Sequence, residues 1–154
     1  MTEPRILLSP AQLQAIEQAA EAAYPEEACG LLVGRSEPDG VWQVSAVEAS
    51  TNVAEPPRTR RFEVDPKLRL RLERELRENP DSVVGVYHSH PNGSAEPSQT
   101  DISMIFEPDM VWLITAVADG RAGATMAYKP TADGAAFRPL ELELGGETTQ
   151  SERA

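Results

Sequence analysis

Cysteine is nearly missing from this chain. Cys29 is the only one in 154 residues, so no disulfide can form within it. A lone thiol fits a reducing compartment, and a cytoplasmic location is expected. No apolar run approaches the ~20 residues that a membrane-spanning helix needs. The opening stretch Met1–Pro10 is too short and too polar for a signal peptide. Positive charge is scarce as well: 14 Lys and Arg stand against 25 Asp and Glu, a net charge of −11. A chain so charged repels nucleic acid and anionic membranes, and neither is expected as a partner. Histidine is scarcer still, with two in the whole sequence.

The length suits one domain with a real core, and the hydrophobic content of 40% is ordinary for a globular chain. Thirteen prolines fall mostly between patterned segments. Pro10–Ala23 reads as a helix, with Ser9 as cap, Leu13, Ile16 and Ala20 on one face, and Tyr24-Pro25 as its stop. Ala28–Val33, ended by Gly34, reads as a buried strand. Glu37-Pro38-Asp39-Gly40 makes the turn into an alternating strand over Val41–Val47. A loop over Ser50–Arg61 and a short strand over Arg61–Val64 precede a second helix. That helix runs from Asp65-Pro66 to about Glu78, with Leu68, Leu72 and Leu76 as its core stripe. Strands follow at Ser82–His88, Val111–Ala118, Ala124–Lys129 and Phe137–Leu144, with a short helix at Ser98–Phe106. This order predicts an α/β (α+β) fold: a single domain over 1–144, with a mixed central sheet flanked by helices. Residues 145–154 read as a flexible polar tail, with Gly145-Gly146 either a hinge or a self-processing site. Trp42 and Trp112 read as core or partly buried residues.

Eight of the 14 cations lie between Arg58 and Arg77: Arg58, Arg60, Arg61, Lys67, Arg69, Arg71, Arg74 and Arg77. They read either as a solvated helix face with i,i+4 partners such as Glu73 and Arg77, or as a patch that docks an acidic protein.

The two histidines, His88 and His90, end an apolar strand with Ser89 between them. Side chains at i and i+2 of a strand share a face, so both imidazoles can reach one ion. Asp101, in the first turn of the short helix that Ser98 caps, can supply a third ligand. Two histidines and a carboxylate leave one position for water, the form of a catalytic zinc site, and one Zn²⁺ per chain is expected. The duller account of Ser98 and Asp101 is a capping box alone.

The spacing His-x-His-x(7)-Ser-x(2)-Asp, carried by His88, His90, Ser98 and Asp101, resembles the core of the JAMM (Mov34/MPN/PAD-1) metallopeptidases. So do Gly85-Val86-Tyr87 before it and Pro97 within it. Upstream, Tyr24-Pro25-Glu26-Glu27-Ala28-Cys29-Gly30-Leu31-Leu32-Val33-Gly34 resembles the segment that carries their catalytic glutamate. Asn52-Val53-Ala54, Pro57 and Arg61-Phe62-Glu63-Val64-Asp65-Pro66 resemble the compact prokaryotic, Mec-type branch. The likeness spans roughly residues 9–144. It implies an MPN/JAB-like domain, His88, His90 and Asp101 as zinc ligands, Glu27 as general base, and Ser98 as a hydroxyl that holds the oxyanion. Glu26 competes for the base, and strand alternation is expected to separate the two carboxylates.

The same resemblance implies a peptidase or isopeptidase acting after the Gly-Gly end of a small ubiquitin-like sulfur-carrier protein. An extended Gly-Gly tail can run along a sheet edge into a narrow cleft. Three rivals stand beside this reading: a metal-free MPN interaction scaffold, a non-haem iron oxygenase built on the same ligand triad, and a hydrolase of small peptides or amino-acid adducts. Cys29 reads either as a small buried hydrophobe or as a redox-sensitive thiol near the metal.

Overall fold

In the computed structural model, residues 4–145 are described. The elements in chain order are β1 (Arg5–Leu8), α1 (Pro10–Ala23), β2 (Cys29–Ser36), β3 (Val41–Ser50), α2 (Pro66–Glu75), β4 (Ser82–His90), α3 (Gln99–Ser103), β5 (Val111–Ala118), β6 (Arg121–Pro130) and β7 (Phe137–Leu144). The strands pair in the order β1-β3-β2-β4-β5-β6-β7, and β1 pairs again with β7 to close a barrel. The sheet is mixed: β1 is parallel to both its neighbours and β4 is parallel to β5, while the other pairs are antiparallel.

The first helix starts as its sequence dictates. Ser9 and Gln12 form a reciprocal capping box, with Pro10 opening the helix. Ile16 is buried with Ile6, Leu8, Leu32, Tyr87 and Leu113 in one core. A second core lies on the other side of the strands. It gathers Leu31, Val33, Phe62, Leu72, Val86, Trp112 and Ile114, with Leu68 and Leu76 of the α2 region against it. Asp65 caps α2, so the apolar stripe read from the sequence does face the core.

The assignment of β4 residues to the two cores turns on a bulge. Leu32 faces Gly85 across the β2–β4 ladder and Val33 faces Val83, which leaves Val84 unmatched. Val83 and Val86 therefore both pack in the second core, while Val84 and Tyr87 pack in the first. Gly85 sits where β5 comes closest: a Cβ there would meet the Val111 carbonyl oxygen at 2.5 Å.

Several expectations need correction. The segment before Pro10 contains β1, four residues too few to show a period, and β1 closes the barrel between β3 and β7. The strand expected at Arg61–Val64 is a single bridge between Asn52 and Val64. The short helix ends at Ser103 rather than Phe106. Closure is partial: β1 pairs only with Val41–Gln43 of β3 and β7 only with Ala127–Pro130 of β6, so lengths of β3 and β6 keep an open edge. The tail expected over 145–154 lies outside the described residues except Gly145, whose N–H donates to the Leu8 carbonyl at 2.8 Å; Gly146 is likewise outside them. Among the described residues, no helix is long and apolar enough to cross a membrane.

Candidate metal centre

His88 and His90 occupy the carboxyl end of β4, on the second-core side. His88 lies between Cys29 of β2 and Ile114 of β5 in the ladder and is fully buried. Phe62 stacks on its ring at 4.2 Å, and Trp112 meets it edge-on at 5.5 Å. Aromatic walls on two sides leave the imidazole little rotational freedom.

Asp101 reaches the histidines from α3. Ser98 Oγ accepts from the Asp101 N–H at 3.0 Å, and Asp101 Oδ2 accepts from the Ser98 N–H at 2.9 Å. The capping box is therefore real, and it also aims the carboxylate. Oδ1 lies 3.1 Å from His88 Nε2 and Oδ2 lies 3.0 Å from His90 Nε2. The two Nε2 atoms are 3.1 Å apart. One potential ligand atom from each of the three residues falls within 4.8 Å of the others.

The proton inventory fits a cation among these atoms. His90 Nδ1 lies 3.1 Å from the Ser94 carbonyl. A carbonyl only accepts, so the Nδ1 hydrogen points there; Nε2 donates to Asp101 while the ring is protonated and, once that proton leaves, turns a lone pair inward. Burial lowers the pKa of His88, although Asp101 pulls it the other way. Burial opposes ionisation of Asp101 too, but hydrogen bonds from both histidines and the Ser98 N–H hold its carboxyl well below the usual range. For His90 burial again lowers the pKa, and the hydrogen bond and charge of Asp101, then Glu27 and the Ser94 carbonyl, raise it on balance. Two imidazoles and an ionised carboxylate are a zinc-type donor set.

Glu27 stands across from this cluster. It lies in the coil before β2, not in the strand, so alternation is not what separates it from Glu26. The turn after α1 does so, leaving Glu26 exposed and Glu27 5% exposed. Its Oε1 is buried without a partner, as is His88 Nδ1. Burial pushes the Glu27 carboxyl up to about 8, with His90 pulling it down and Asp101 pushing it further up. Glu27, His90 and Ser98 line one cavity of about 380 Å³, together with Thr59, Arg60 and Glu96.

Two residues that the sequence reading passed over hold Glu27 in position. Ser89 Oγ accepts from the Ala28 N–H at 2.8 Å, and the Ser89 N–H donates to the Ala28 carbonyl at 3.1 Å. Asn52 Nδ2 donates to the Glu27 carbonyl at 3.0 Å. A buried serine between the two histidines of β4, and a half-buried asparagine two residues beyond β3, were the available signals: polar groups taken out of water must find partners.

Residues 9–129 match the family described as prokaryotic homologs of the JAB domain. The chain belongs to that family. It is 35% identical to a desampylase of Haloferax volcanii over 94% of its own length and 99% of the other's. It is 29% identical to a CysO-cysteine peptidase of Mycobacterium tuberculosis over 71% of this chain and 72% of that one. Its fold resembles a JAB1/MPN domain protein of Archaeoglobus fulgidus with a TM-score of 0.53, at 22% identity, covering 90% of this chain and 98% of that one. It is thus a JAMM-type metallopeptidase with a single JAB/MPN-like domain.

Within this JAB domain the remaining sequence alternatives also sort themselves. Cys29 is 1% exposed, and burial pushes its thiol up to about 12. A thiol so protonated is a poor nucleophile, which favours the small-hydrophobe reading. On α2, Arg69 pairs with Glu73 and Arg71 with Glu75, the i,i+4 pattern expected, although Glu73 turns to Arg69 rather than Arg77. Trp112 is buried and Trp42 partly so.

Proposed function

We propose that this chain is a zinc-dependent peptidase or isopeptidase that hydrolyses the amide bond after the C-terminal Gly-Gly of a ubiquitin-like sulfur-carrier protein. His88, His90 and Asp101 would hold one Zn²⁺. The observation that carries this reading is Glu27: a carboxylate buried without a partner on Oε1, in the same cavity as His90 and Ser98. An interaction scaffold gains nothing from such an orphan, and an oxygenase triad gives it no task. The names of the relatives, a desampylase and a CysO-cysteine peptidase, support a small carrier protein as substrate. The single buried thiol suits action in the cytoplasm.

Zinc held there supplies electrophilic polarisation of the scissile carbonyl and a water acidic enough to ionise near neutral pH. Glu27 takes the proton of the attacking water and returns it to the leaving amine. A pKa raised toward the working pH suits both transfers. Ser98 Oγ spends a lone pair on the Asp101 N–H, which leaves its hydroxyl hydrogen free to donate to the oxyanion. Glycines at the end of the substrate let its backbone come close to the walls of the cavity.

The test is zinc content together with cleavage of a sulfur-carrier protein extended beyond its Gly-Gly, for wild type and Glu27→Gln. One zinc in each protein, with cleavage by the wild type alone, is expected. Zinc without any cleavage points to small peptides or amino-acid adducts. A protein that cannot take up zinc overturns the enzyme reading in favour of the scaffold.

A further inference from the structure

The loop between β4 and α3 forms one wall of the metal centre. His90 Nδ1 meets the Ser94 carbonyl there at 3.1 Å, and Pro91, Ser94, Glu96 and Pro97 line the cavity beside Glu27. Little in the loop's own sequence holds it. Asn92, Gly93, Ser94, Ala95 and Glu96 stand between its two prolines, and none of them has a large apolar side chain to bury. Gly93 takes a left-handed turn at φ +84°. A segment with so little buried apolar surface opens easily on its own. The Ser94 N–H donates to Asn92 Oδ1 at 3.0 Å, the Glu96 N–H to Ser94 Oγ at 3.1 Å, and the Gly93 N–H to the His90 carbonyl at 3.4 Å. These bonds shape the turn without tying it to a second element.

One side chain supplies that tie. The Tyr128 hydroxyl, on β6, donates to the Ala95 carbonyl at 2.9 Å, across 33 positions of chain. Among the described residues, every other hydrogen bond of residues 92–96 stays within the loop or returns to His90. Tyr128 is itself held firmly. It is buried and faces Trp112 across the β5–β6 ladder. Phe137 packs edge-on against both rings, at 6.2 Å from Tyr128 and 4.9 Å from Trp112. Trp112 in turn meets the His88 ring edge-on. The aromatic cluster that walls one histidine therefore reaches, through a single hydroxyl, the loop that orients the other.

We propose that Tyr128 is a positioning residue for the metal centre. Its hydroxyl pins Ala95, and with it the adjoining Ser94 carbonyl, so that the His90 ring stays turned with Nε2 toward Asp101, 3.0 Å away. This rests on His90 and Asp101 as ligands of the proposed zinc peptidase. A carbonyl that accepts the hydrogen of the second ring nitrogen sets the tautomer and direction of a ligating imidazole. A carbonyl on a loose loop sets neither, because the ring follows the loop. The ring of Tyr128 supplies packing and its oxygen supplies aim. Phenylalanine keeps the first and removes the second.

The experiment compares the wild type, Tyr128→Phe and Ile6→Val. Ile6 is buried in the first core, so shortening it lowers stability without touching the loop. Zinc affinity is read by competition with a chelator, loop motion by backbone ¹⁵N relaxation of the zinc-free protein, and ligand geometry by the visible absorption of the cobalt-loaded protein. Tyr128→Phe is expected to weaken zinc binding by ~10-fold, the low end of the range for outer partners of a metal site. Order parameters at Ser94 and Ala95 should fall from about 0.85 toward 0.6 or below, and the cobalt spectrum should change. Ile6→Val should match the wild type in all three. Wild-type zinc affinity and an unchanged cobalt spectrum in Tyr128→Phe overturn the assignment, and so does an equal loss of zinc affinity in Ile6→Val. Turnover of the extended carrier protein by the wild type separates the two readings. Zinc affinity that depends on Tyr128, in a protein that cleaves nothing, supports Tyr128 and overturns the peptidase reading instead.

Discussion

On α2, the half-buried Arg69 holds two exposed carboxylates, Glu73 at 2.6 Å and Glu107 at 3.0 Å. At the end of β4, His88 and His90 share Asp101 at 3.1 and 3.0 Å with almost no exposure. The distances are alike and the physics is not. Around α2 the carboxylates keep their water, so such a pair contributes roughly 0–1 kcal/mol. At the end of β4 the groups have given up hydration, and each depends on its neighbours. A buried cluster that still leaves Glu27 Oε1 and His88 Nδ1 unpartnered is poorly explained as a device for stability and well explained as a site.

The largest effect should come from the buried side. His88→Ala or Asp101→Asn should lower zinc affinity by more than ~10²-fold, since even outer partners of a metal site cost that much. Zinc stoichiometry after dialysis checks this, and full occupancy in either variant would break the contrast. Next, Glu27→Gln should keep zinc and lose ~10²–10⁴-fold in kcat.

The same variant carries a pH signature in the zinc-free protein. A carboxyl held near 8 when folded keeps its proton while the unfolded chain, near 4.5, loses it. The wild type therefore loses stability as pH rises from about 4.5 to about 8. Glutamine does not titrate, so Glu27→Gln should overtake the wild type across that window. The gap should reach about 1–3 kcal/mol, typical for an unsatisfied buried group. Thermal melts at pH 5 and pH 8, both roughly inside this window, check the sign.

Ser98→Ala should cost about 0.5–2 kcal/mol as a lost cap and roughly 10²–10³-fold in kcat as a lost oxyanion donor. A stability loss with unchanged kcat would leave Ser98 as a cap only. At the small end, Glu107→Gln on the exposed side should shift stability by less than ~1 kcal/mol, in chemical denaturation at low salt.

Much of this was legible in the sequence. The apolar stripes of α1 and α2 and the i,i+2 spacing of His88 and His90 are local patterns, and local patterns survive folding. Asp101 was legible because helix capping has a fixed offset. The barrel was not, because closure depends on β1, whose burial alternates over only four residues. Glu27 was identified through resemblance, and the physical reason first offered for preferring it over Glu26 does not hold, since both lie outside the strand. Asn52 and Ser89 act through hydrogen bonds between segments 25 and 61 positions apart in the chain, and no periodicity reports such pairings.

The unmatched Val84 makes the centre a matter of parity. Had β4 kept every residue but alternated strictly, with no bulge, fixing Val83 in the second core would turn Tyr87 into that core and swing both imidazoles out toward α1, away from Asp101. An engineer moving this chemistry to another sheet would have to carry over both the extra residue and its bulge, or neither. Deleting Val84 would, by the same logic, restore a regular ladder and leave Val86, His88 and His90 on the side they now face.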